Sequence, residues 1–291
     1  MNFSFESFVN GEFDDDKNTS THNCLWLRQE NMDVGGGKIT FADIDRLKDY
    51  PDIEVVTISG LRQDTFEYFI KTYGKQFKAI RFFKNKFVED LSLLGTLPQL
   101  EYVYFFANQK ATALWDMTEN RSLTALCMED FTKLTSIKGV ETAPALKELT
   151  IGNAVWSKMV VDSFMPLAGT GIERLSFTGQ AIQDHDLSFL ENMPKLKEFH
   201  FATNIFTTEQ VAWIVANCPS VDGYALKAKV DCMLGDSDED MTEVLKSIIV
   251  GKRKPILKVK GNEEKIQKYV NNFEKLKEKY QGMPYKVAFA L

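Results

Sequence analysis

The stretch Phe77-Lys-Ala-Ile80-Arg-Phe82-Phe-Lys-Asn85, aligned with Leu100-Glu-Tyr-Val103-Tyr-Phe105-Phe-Ala-Asn108, decides how this sequence is expected to fold. Both segments follow the pattern L-x-x-L-x-L-x-x-N, with aromatic or aliphatic residues in place of Leu. The pattern recurs from Leu123, Leu146, Ile172, Leu196 and Val221, and an earlier copy starts at Ile53. A fainter copy surrounds Leu25 and Leu27. From Ile53 onward the offsets are 24, 23, 23, 23, 26, 24 and 25 residues. In each copy the fourth and sixth positions lie two apart in a short strand and share one face, as with Ile80 and Phe82, so these are the expected core residues. The third, fifth and seventh positions point to the opposite face. One such unit cannot bury its own apolar side, so stability must come from stacking neighbour on neighbour, with caps at the ends.

A period of about 20–29 residues with this pattern resembles the leucine-rich repeat family. The return segments Asp90-Leu-Ser-Leu-Leu-Gly-Thr-Leu-Pro-Gln-Leu100 and Asp186-Leu-Ser-Phe-Leu-Glu-Asn-Met-Pro-Lys-Leu196 are similar to those of bacterial, internalin-like repeats. The resemblance implies an α/β fold: a solenoid with a curved parallel sheet on its concave face and helices or loops on its convex face. It also implies a buried ladder of ninth-position Asn side chains. Here that Asn occurs at Asn85, Asn108 and Asn204, whereas Leu61, Phe131, Ala154, Gln180 and Lys229 replace it elsewhere, so the ladder is expected to be incomplete. The expected organisation is an N-terminal cap over residues 1–21, the repeats over 22–229 and a C-terminal cap over 230–291.

Outside the repeats, Thr207 with Gln210 forms a capping box that predicts a helix ended by Pro219. In the C-terminal region, Pro255–Lys260 reads as a strand, Glu263–Tyr280 as an amphipathic helix and Tyr285–Ala290 as a second strand, giving a strand-helix-strand cap. Val221 is expected to open a last repeat strand with Gly223, Ala225 and Lys227 on its outer face. The aromatic and acidic segment Phe3–Asp16 is expected to cover the first repeat.

Composition limits function. The 291 residues carry 35 Lys+Arg and 41 Asp+Glu, a net charge of -6, without the basic excess a dedicated nucleic-acid binder uses against phosphates. Residues 227–291 hold 14 basic and 10 acidic residues, net +4, leaving 21 and 31 in residues 1–226, net -10. The N-terminus has neither a basic n-region nor an apolar h-region, and no run approaches a membrane span, so a cytoplasmic, membrane-independent protein is expected. Cys24, Cys127, Cys218 and Cys232 form no C-x-x-C pair.

Motifs for chemistry are weak. Asp236-Ser-Asp-Glu-Asp240 lacks the EF-hand residues at the required places, Met241 and Ser247 standing there, so it reads as a solvated loop. Gly35-Gly-Gly37 before Lys38 lacks phosphate-loop spacing and reads as a turn. His22, His185 and His200 form no ligand spacing. His200 and Cys127 are the residues an enzyme would have to use, and neither sits in a nucleophile motif. No cofactor, metal or catalytic residue is therefore assigned.

What the register does produce is a recognition surface. Arg81, Phe83, Tyr102, Tyr104 and Phe106 fall side by side on two neighbouring strands, and Trp26 with Arg28 extends the patch. Tyr, Trp and Arg dominate interface energetics because they bury large area at low entropic cost. Two accounts of this patch stay open: a partner-binding surface, or a surface that the segment Phe3–Phe13 folds over. The expected function is non-enzymatic binding of a partner protein through the concave face. The alternatives are a carbohydrate-binding module using the same aromatics, and an inhibitor or immunity protein for a basic enzyme or toxin.

Overall fold

The computed structural model describes residues 3–11, 24–29, 36–153, 155, 158–235 and 243–290. The acidic run Asp236–Asp240 and Gly35 lie outside the described residues. Eight parallel strands form one open sheet: β1 (Cys24–Leu27), β2 (Val55–Ile58), β3 (Ala79–Phe83), β4 (Tyr102–Asn108), β5 (Ala125–Phe131), β6 (Glu148–Gly152), then Arg174–Phe177 and Glu198–Phe201. The register follows the sequence period: Val55 pairs with Ala79, Ala79 with Tyr102, Tyr102 with Ala125 and Ala125 with Glu148. The chain separates into two compact units, residues 1–172 with 178–185, and residues 173–177 with 186–291.

In the first unit the fourth- and sixth-position side chains Val56, Ile58, Ile80, Phe82, Val103, Phe105, Leu126, Met128, Leu149 and Ile151 are all buried on one face of the sheet. Phe82 and Phe105 stack at 4.4 Å between centroids, and Phe131 meets Phe105 edge-on. The return segments close the other side of this core. Leu91, Leu94 and Leu97 are buried around a 3-10 turn, Ser92–Thr96. The short α2 (Phe41–Ile44) precedes β2, and a longer helix, α3 (Gln63–Tyr73), follows it. Sequence pattern missed α3; its Phe66, Phe69 and Ile70 recur at helical spacing and are buried, Phe66 against Phe82 and Phe69 against Phe77.

Buried polar side chains satisfy the loop backbone. The Asn85 amide donates to the Ile58 carbonyl and accepts from Leu61 N–H, both at 2.8 Å. Asn108 donates to the carbonyls of Asn85 and Val88 and accepts from the N–H groups of Lys110 and Ala111. At the next equivalent place Phe131 replaces amide chemistry with packing. Gln76 and Gln99 each donate to two carbonyls of the preceding turn. Asn120 does the same for Leu94 and Leu97 and holds the Trp115 indole. Two short parallel strands, β7 (Val160–Val161) and one at Ala181–Ile182, complete this unit.

With β8 (Arg174–Phe177), β9 (Ala181–Ile182) and β10 (Glu198–Phe201) so numbered, the second unit begins with the β8–β10 pair. The predicted helix is present as α4 (Thr208–Asn217), with the Thr207–Gln210 capping box. The last expected repeat strand is reduced to a single parallel bridge between Asp222 and Glu198. Its side chains are also reversed: Ala225 is buried and Tyr224 exposed, because a turn at Gly223–Leu226 replaces the extended chain.

The C-terminal region differs from a strand-helix-strand unit. β11 (Lys229–Gly235), β12 (Glu243–Ile249) and β13 (Ile256–Lys258) form an antiparallel sheet, followed by α5 (Glu263–Tyr280) and α6 (Tyr285–Ala288). The segment expected as a strand, Tyr285–Ala290, is helical over α6. Tyr285 is 0% and Val287 68% exposed, opposite environments that a strand would give to neighbours rather than to residues two apart. Tyr285 and Phe289, four apart, bring their rings to 4.5 Å. Pro284 supplies the helix start, and the Tyr285 hydroxyl accepts from Gln210 of α4 at 2.7 Å. Among the described residues no helix is long and apolar enough to cross a membrane.

Candidate functional site

The candidate site lies on the sheet face opposite the core, over β1 to β5 of the first unit. Strand register makes it: Trp26 pairs with Thr57, Thr57 with Arg81, Arg81 with Tyr104 and Tyr104 with Cys127, all fifth positions in one row. Phe83 and Phe106 pair in the row beyond and stack at 5.2 Å. The Arg81 guanidinium lies 4.8 Å from the Tyr104 ring, 5.5 Å from Phe83 and 5.9 Å from Trp26. Arg28 lies directly over the Trp26 indole. All seven expected site residues therefore share one surface, with guanidinium groups placed where the negative ring faces attract them.

This surface is not open to solvent. The N-terminal helix α1 (Phe5–Asn10) lies on it, and Phe5, Phe8, Tyr104, Phe106, Val55, Ala79 and Cys127 form one buried cluster. Tyr104 is 5%, Arg81 7% and Phe106 8% exposed; Trp26, Phe83 and Tyr102 are half-buried, and Arg28 is exposed. Of the two accounts left open by the sequence, coverage by the N-terminal segment is what the described residues 3–11 show, because the same alternation that turns these rings away from one core supplies apolar area for a second. Phe5 meets Tyr102 edge-on at 5.3 Å, Phe8 lies 5.8 Å from the same ring, and Phe3 packs beside both.

Polar contacts set the position of α1. Ser4 caps its first turn, accepting from Ser7 N–H at 3.1 Å. At the other end Arg81 Nη2 donates to the Val9 carbonyl at 2.9 Å, placing a cation on the helix C-terminus. Gly11 then takes φ 76°, and a side chain there would face the Arg81 guanidinium. Among the described residues, the buried Trp26 indole N–H and Thr57 hydroxyl have no hydrogen-bond partner.

The electrostatics follow from burial. Burial pushes the Cys127 thiol well up, with Glu129 adding to the effect, the direction opposite to that of thiolate activation. Burial also raises the Tyr104 phenol, which donates to Glu129 at 3.2 Å. Burial raises the Glu129 carboxyl itself, against the lowering effect of the Tyr104 bond and Arg81.

His200, the other residue noted in the sequence, lies in the second unit on β10. Its Nε2 is 3.1 Å from Glu198, and Arg174 of β8 approaches the same carboxylate at 3.1 Å. The His200 bond, then Arg174, holds Glu198 below the usual carboxylate range. The four cysteines are free thiols. Sequence reasoning placed the aromatic row, with Glu129 on the same outward face, by period alone, but missed Arg81's bond to Val9, since no local signal marks a contact 72 residues apart. Neither a family model nor a curated protein matches the chain.

Proposed function

We propose that this chain is a non-enzymatic protein-interaction scaffold built as a leucine-rich repeat solenoid, and that its aromatic face accepts a short helix bearing two Phe residues at i and i+3. One observation carries the reading: that face holds such a helix from its own chain, with Phe5 and Phe8 against Tyr102 and the Val9 carbonyl on Arg81. Solenoid architecture is supported by the recurring parallel register of successive strands. A protein partner would present its own amphipathic helix and take the place of α1. The arrangement is that of helix-in-groove recognition, where a few aromatic anchors dominate. The carbohydrate alternative is less favoured because the segment seated on these rings is an apolar helix, Phe5 and Phe8, rather than a polar group.

The test uses the full chain. A Phe5→Ala/Phe8→Ala double variant loosens α1 but leaves the receiving face intact. A labelled peptide with the sequence of Phe3–Gly11 should bind this variant at least about tenfold more tightly than wild-type protein, because the internal competitor has been weakened. Adding Tyr102→Ala should remove the gain. If the folded double variant fails to bind the peptide in a polarisation assay, the reading is wrong.

A further inference from the structure

A recess of about 580 Å³ lies at the carboxyl ends of β3, β4 and β5 and shares Ala107 with the buried cluster under α1. Three equivalent residues, one per strand, shape it. Lys84, Ala107 and Asp130 take φ of 57°, 60° and 56°, left-handed values that residues with a β-carbon seldom adopt. Each turns its chain sharply at the strand end, and the three together border one hollow rather than three separate turns.

The lining has two chemical parts. Phe131, Leu134 and Met159 are almost wholly buried and offer an apolar floor. Lys84, Lys86 and Lys158 also line the recess, with Asp130 as the acidic residue among the described lining residues, and Lys84 lies at the border with its ammonium 5.3 Å from the Phe83 ring. Asp130 is itself 3% exposed and accepts the Val155 N–H at 3.0 Å, which directs its charge into the wall. The volume falls within the range of small-molecule sites, and an apolar floor with a few convergent charges is their usual composition.

We propose that this recess binds a small organic anion: an aromatic or short acyl body on the Phe131–Met159 floor, with one carboxylate, sulfonate or phosphate group among Lys84, Lys86 and Lys158. The floor selects the apolar body, and the lysines select the anionic end. The site adjoins the helix-binding face through Ala107 and Lys84, but its ligand would sit mainly on other residues, Phe131, Met159, Lys86 and Lys158, so it is tested separately.

The experiment is a fluorescence titration of the full-length protein with 8-anilinonaphthalene-1-sulfonate, with uncharged N-phenyl-1-naphthylamine as the control and phenyl phosphate as competitor. The sulfonate should saturate one site and be displaced by phenyl phosphate. Lys86→Gln/Lys158→Gln should weaken sulfonate binding roughly five- to tenfold, the effect expected of two partly exposed charges, and leave the neutral probe unchanged. Thr132→Trp, at an exposed position on the rim, should block both probes by filling the mouth. Sulfonate binding that phenyl phosphate does not displace, or that survives Thr132→Trp unchanged, would overturn the proposal. So would equal loss of both probes in the lysine variant.

Discussion

Single side chains in this protein are chosen as much for what they do to the backbone as for what they bury. Asn108 satisfies four backbone groups at once, two carbonyls and two N–H groups, all but the Lys110 N–H buried. Asn108→Ala should therefore cost more than one ordinary hydrogen bond, about 2–4 kcal/mol, because the orphaned groups stay buried. Urea unfolding of the variant checks this; a loss below about 1 kcal/mol would mean that water replaces the amide. Glu129 is the opposite case, a carboxyl that burial holds above its ordinary value of 4.5. A group whose folded value is raised favours the folded state when protonated, and that contribution disappears as pH rises through the folded value. Wild-type protein should thus lose stability relative to Glu129→Gln as pH climbs through the window just above 4.5. Melting temperatures of the two proteins, measured side by side across that window, provide the check, and a constant difference would contradict it.

At the level of elements, α1 is the least self-sufficient part of the first unit. A six-residue helix lies far below the length at which helices hold themselves together, so it persists only through Phe5, Phe8 and the Arg81 bond. Its amides should exchange with deuterium through local opening, well ahead of those in β3 to β5, which are paired on both sides. Exchange of α1 only with global unfolding would show a permanent cap rather than a displaceable one. The short α6 makes a related point in the second unit. The alternation Tyr285-Lys-Val-Ala-Phe289 satisfies a strand pattern, yet Pro284, the Tyr285–Phe289 contact and the hydroxyl bond to Gln210 make it helical. A period of two over five residues is too short a signal to outweigh packing.

Across the whole molecule, the elements that were legible in the sequence are those whose evidence is repeated. Seven strands, β2 to β6 with β8 and β10, begin where the recurring apolar pairs place them, and one pair, such as Ile80 and Phe82, would not have sufficed. The recurrence also showed which side chains leave the core face, and so brought Arg81, Phe83, Tyr102, Tyr104 and Phe106 together before any coordinates. It could not say whether that face is open, because α1 reaches it through contacts 72 residues apart in the chain and no period links them. The recess under Lys84, Lys86 and Lys158 was invisible for a similar reason: left-handed turns at Lys84, Ala107 and Asp130 carry no Gly or Asn to announce them. By itself, then, the sequence determined the parallel sheet, its register and the rows of side chains on each face, since these follow from strand periodicity and apolar burial. Only the tertiary structure decided which rows are covered, which ends turn inward and where charge meets an apolar floor, because those depend on contacts between segments that no local rule couples.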